Sequence, residues 1–174
     1  MKIKIIYLTI ILLIVTPILI CAQQTIDGFI ISETNLDNNK KDEWFTDVNA
    51  SKLKSPLDSN NRPLNIISEI RFTSREKLNN IEREIFTIEE RKHLSQYKCY
   101  MRVLIHSKTK KIEAVSFAFR LDKNDTLQID YKKLAQYRET VKEQIKFDFL
   151  SFERPVNKDG YITQILPRFK SSDK

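Results

Sequence analysis

Glycine is nearly missing from this chain: Gly28 and Gly160 are the only two in 174 residues. A phosphate-cradling loop or a dinucleotide fingerprint needs two or three glycines within a few positions. That argues against P-loop nucleotide hydrolases and Rossmann oxidoreductases. A G-x-S-x-G nucleophile elbow is missing too. Histidine and cysteine are as scarce, with His93 and His106, Cys21 and Cys99. What the chain has instead is charge, 30 Lys and Arg against 23 Asp and Glu, for a formal net charge of +7.

The first 22 residues differ from the rest. Lys2 and Lys4 precede a run from Ile5 to Ile20 that is interrupted only by Thr9, Thr16 and Pro17. A charged start, an apolar middle and a small-residue end make a secretory signal, with Ala22 as its last residue. Two other outcomes compete with cleavage there. Leu19-Ile20-Cys21 resembles a bacterial lipobox, which would make Cys21 a lipidation site, although Ile20 stands where a small residue belongs. An uncleaved anchor is the third. Sixteen helical residues span about 24 Å, short of the roughly 30 Å hydrocarbon core.

Loss of residues 1–22 leaves one modest domain and lowers the charge from +7 to +5, since Lys2 and Lys4 go with it. Cys99 would then be the only cysteine, so no internal disulfide could form and the fold must rest on its apolar core. A basic balance suggests nucleic acid, but an exported protein rarely meets it. No nucleic-acid partner is expected. A membrane is expected only if Cys21 is lipidated or the leader is retained.

Residues 23–63 read as a loop-rich segment. Thr25 to Ile31 suits one short strand, Asn35 to Asp42 is polar and turn-prone, and Ser51 to Pro63 reads as loop. Trp44 stands out there, either as a plug over core surface or as a ligand-contacting aromatic. A single domain is expected over 64–170, with a frayed tail at 171–174. Leu64 to Phe72 alternates as a strand. Thr73 to Glu76 and Thr87 to Glu90 fit capping boxes for helices over about 74–85 and 88–95. Tyr97 to Ser107 and Ile112 to Arg120 read as a hairpin about a polar turn. Its first strand places Cys99, Met101, Val103 and Ile105 on one face. Its second places Ile112 with Ala114, Ser116 and Ala118, opposite Val115, Phe117 and Phe119. Asp130 caps a helix over about 131–147, and Tyr161 to Leu166 is a last strand ended by Pro167. The expected fold class is α+β: a small antiparallel sheet with two or three helices packed on one face.

From residue 97 onward the chain resembles the carboxy-terminal domain of TonB-type energy transducers. Met101-Arg102-Val103-Leu104-Ile105 looks like that family's first long strand, Lys108 to Lys111 its short turn, and Ile112 to Phe117 its second strand. A helix and a last strand follow. The resemblance implies a domain without catalytic residues that binds an outer-membrane receptor by strand pairing. The turn glycine and the long Pro/Lys-rich spacer of that family are lacking here, and the hydrophobic start looks cleavable.

Candidate chemistry is sparse. His93, His106 and Cys99 could supply three zinc ligands, but His106 and Cys99 fall on opposite faces of one strand. Cys99 shares an apolar face, which suits burial rather than nucleophilic attack. Asp122 to Asp130 alternates oxygen ligands as a calcium loop does, but Leu127 stands at the required glycine and Lys133 at the required Glu. Glu76, Glu82, Glu84, Glu89 and Glu90 lie on helices among Lys and Arg, where ion pairing accounts for them. Lys108, Lys110 and Lys111 cluster on the hairpin tip, guarding an edge or meeting an acidic partner. No catalytic residue, metal or cofactor is expected. The sequence points to an exported protein of a Gram-negative bacterium, periplasmic or secreted, with association with the outer membrane as a further option. It would act by binding an envelope protein or surface polymer, with Trp44 and the tip lysines as candidate contacts. A membrane- or lipid-anchored TonB-like component, and an enzyme whose polar residues converge only in three dimensions, are the alternatives.

Overall fold

The computed structural model describes residues 25–36, 39–64, 75–147 and 152–169. Six strands form one sheet: β1 (Thr25–Ile26), β2 (Phe29–Asn35), β3 (Lys40–Asp47), β4 (Lys98–His106), β5 (Ile112–Asp122) and β6 (Tyr161–Arg168). Their order is β1-β2-β3-β5-β4-β6, and every pairing is antiparallel. Three helices accompany them: α1 (Arg75–Ile85), α2 (Ile88–Leu94) and α3 (Tyr131–Gln144). The fold is therefore α+β, as the sequence indicates. The leader with Cys21, most of the expected strand from Leu64 to Phe72, and the tail lie outside the described residues.

The core fills one face of the sheet. Phe29, Phe45, Phe117 and Phe119 project from β2, β3 and β5 to meet Leu78 and Ile81 of α1 and Leu134, Tyr137 and Val141 of α3. Phe45 makes edge-to-face contacts with Phe29 and Phe119, at centroid distances of 6.2 and 5.8 Å. On β4 the alternation expected from sequence is observed: Cys99, Met101, Val103 and Ile105 are buried.

The segment 23–63 departs from its loop-rich reading, since it supplies half of the sheet's strands. Thr25 to Ile31 is a hairpin rather than one strand. Asp27 and Gly28 both have positive φ, 48° and 78°, and join Ile26 to Phe29 in a two-residue turn. In the polar run Lys40-Lys41-Asp42-Glu43, three of the four charges meet partners on the neighbouring strands, which lets it form strand. Arg120 makes a bidentate contact with Asp42 (2.9 and 3.1 Å), Lys41 pairs with Glu33 (2.9 Å), and Lys40 pairs with Asp122. Trp44 and Phe45 do not interrupt it but face opposite sides. The boundary at 63/64 therefore does not follow the sheet.

Other differences have local causes. A register shift between Leu104 and Ile105 sets Ile112 opposite Ile105 and so returns Ile112 to the core face, away from Ala114. Helix α3 ends at Gln144 rather than Phe147, yet Ile145 and Phe147 remain buried as extended chain. Strand β6 runs through Pro167. Tyr161 donates its amide outward to Lys54 O (2.8 Å), and Pro167 has the same parity. Proline there gives up only a donor that would point away from β4.

Candidate functional site

One group of ionisable side chains lies inside, between α1, α3 and the end of β6. Glu82 on α1 accepts from Arg168 Nε at 2.9 Å and also from Arg168 Nη2, which donates to Asn79 Oδ1 at 3.0 Å as well. Tyr137 on α3 donates to the same Glu82 oxygen at 3.4 Å. Cys99 is close by on β4, and burial pushes its thiol well above the ordinary range, with the Glu82 charge adding to the effect. Burial likewise raises the Tyr137 phenol. The charged and hydroxyl groups of the cluster satisfy one another, tying α1 and α3 to the end of β6. A thiol held protonated is a poor nucleophile.

A second charged hub fastens a loop. Asp58 Oδ1 accepts the amides of Asn60 and Arg62, both at 2.9 Å, while Oδ2 meets Arg62 Nε at 3.0 Å and Arg154 Nη1 at 3.1 Å. The Arg62 amide contributes most to holding the Asp58 carboxyl below its usual value. A shallow recess opens beside it, lined by Asp58, Arg62, Arg154 and Asn157. Both arginines are engaged with Asp58, so the recess reads as a loop anchor.

The sheet face opposite the helices is different. Small residues, Ala114, Ser116 and Ala118, occupy its centre on β5. Trp44 lies beside Ala118 on β3, and Tyr100 lies beside it on β4. Arg102, opposite Ser116, reaches across β5 and sets its guanidinium carbon 5.9 Å from the Trp44 ring centroid. The small side chains leave room for this cation–π contact, and Ser116 and Ala118 are buried beneath it. Arg102 Nε is buried without a hydrogen-bond partner. Along β6, Ile165 faces Arg102 and Pro167 faces Tyr100. Ile165 is 57% exposed and Tyr100 37%.

Sequence reading singled out Trp44 but not its partner Arg102, because β3 and β4 meet only through β5. The contact could be found only by knowing the strand order. The three tip lysines differ in placement. Lys110, at φ 61°, turns its ammonium to the Ser107 carbonyl, whereas Lys108 and Lys111 are exposed. His106 Nδ1 accepts the amides of Lys108 and Thr109 at 3.2 and 3.3 Å and so braces the turn. His93 packs edge-on against Tyr97. Among the described residues, no three His, Cys, Asp or Glu side chains gather as a metal site. Among them, too, no helix is long and apolar enough to cross a membrane.

No family model matches the chain, and no curated protein matches it. Among solved structures, a DUF5043 family protein from Bacteroides uniformis is similar in fold. It has a TM-score of 0.51 and 14% sequence identity, covering 87% of this chain and 92% of that one.

Proposed function

We propose that this is an exported, non-catalytic protein that acts by binding in the bacterial envelope, with the sheet face opposite the helices as its contact surface. The leader over residues 1–22 supports export. The observation that carries the binding reading is the exposure of Ile165 and Tyr100 beside the Arg102–Trp44 pair. An exposed apolar group rimmed by polar residues marks interaction surfaces. The interior cluster supports the non-catalytic part, since its charges are saturated by one another. Affinity capture from envelope extract with the mature chain tests this. A partner held by the wild type and lost with Ile165→Lys is the expected result. Equal capture by both, or a hydrolytic activity abolished by changing one or two polar residues, would contradict it.

A second reading is a component anchored through Cys21 or an uncleaved leader, in the manner of TonB-type transducers. It is supported by the succession β4, β5, α3, β6, which follows the order of elements in that family's domain. Retention in the membrane fraction through a high-salt wash is expected of an anchored form and not of a cleaved one.

A further inference from the structure

Resting on the binding reading, we propose that the face around Arg102 docks an acidic, extended segment of a partner protein, with carboxylates alternating with apolar side chains. Among the described strand residues four cations stand on this face, and two are neutralised within it: Lys40 by Asp122 and Arg120 by Asp42. Arg102 and Lys98 have no carboxylate partner among the described residues. They flank Tyr100 on β4, so one side of that strand reads cation, aromatic, cation. Same-face positions of any extended chain recur about every 6.6 Å. A second extended chain laid along β4 therefore matches this pattern with acid, apolar, acid at alternate positions. Ile165 and Pro167 widen the apolar part beside Tyr100.

Arg102 is prepared for such a partner. Its guanidinium lies over the Trp44 ring, and its donors are not taken up by any carboxylate among the described residues. The guanidinium carries further N–H donors, to which a carboxylate can make a charge-assisted contact. The wider surroundings are aliphatic and aromatic, which strengthens a charge contact relative to open water.

Trp44 is the only tryptophan in the chain, so its emission reports on this face alone. The probe is a synthetic peptide, Ser-Asp-Ser-Leu-Ser-Asp-Ser, titrated into the full mature chain. A saturable change in emission is expected that weakens as salt rises. Lys98→Gln, which leaves the Trp44 contact intact, should weaken binding about tenfold for the loss of one charge contact. Arg102→Gln should do the same or more, with circular dichroism confirming the fold. An equal response to the peptide carrying Lys in place of Asp would overturn the proposal. So would an equal response to polygalacturonate, which would make the face a site for an anionic glycan. No response to the Asp peptide, with Ile165→Lys still abolishing partner capture, would sink the acidic-segment proposal and leave the binding reading standing. No response and no loss of capture would remove both.

Discussion

Glu82 and Arg168 illustrate how a buried charge pair can hold a fold without adding much to it. Each side chain is at most about a tenth exposed, and the pair joins α1 to the end of β6. Removing one partner strands the other in the core. Glu82→Leu is expected to lower stability by about 3–5 kcal/mol in urea unfolding. Glu82→Leu combined with Arg168→Met should recover much of that loss, because no charge is left buried alone. Cys99, beside this pair, is expected to resist thiol reagents until the protein unfolds. The same burial sets a pH dependence. The folded state keeps the Cys99 thiol and the Tyr137 phenol protonated, whereas the unfolded chain ionises them above about pH 8.5 and 10. The unfolded state then binds fewer protons, so stability is whole below those values and falls as pH rises past them. A pH series of urea midpoints that stayed level from 8 to 10.5 would contradict this.

At the scale of elements, local signals set the helices and long-range pairing sets half the sheet. Thr87 accepts the Glu90 amide at 3.2 Å while Glu90 accepts the Thr87 amide at 2.8 Å, the reciprocal box legible in Thr87-Ile88-Glu89-Glu90. Glu90 is also gripped by Lys133 at 2.7 Å, which ties α2 to α3. Thr87→Ala is expected to cost about 1 kcal/mol, measured as a lowered denaturation midpoint with unchanged slope. The Asp130 cap, the β4–β5 hairpin and the buried face of β4 were equally open to reading, because each rests on neighbours within a few residues. Strand β3 was not. Its Lys40-Lys41-Asp42-Glu43 run looks like a solvated turn until Arg120 and Asp122, some eighty residues on, supply the opposite charges. The Ile112 side chain was misplaced for a similar reason, since one register shift inverts an alternation that the sequence shows unbroken. Of the candidate site, Trp44 was visible as an isolated aromatic, while Arg102, Tyr100 and Ile165 became a group only once β4 lay between β5 and β6.

The molecule as a whole is two-sided. One side of the sheet is covered by three helices over a phenylalanine-rich core, with the Glu82–Arg168 pair bonded within it. The other side carries small residues at its centre, an arginine in cation–π contact with the single tryptophan, and exposed Tyr100 and Ile165. The proposed binding role rests on this outer face, where exposed apolar side chains lie beside charged ones. The most direct measurement is photo-crosslinking in living cells, with a probe residue placed in turn at Tyr100, Ile165, Glu76 and Glu143. The account expects adducts of one size from Tyr100 and Ile165 and none from the two helix positions. Adducts confined to Glu76 and Glu143 would contradict it.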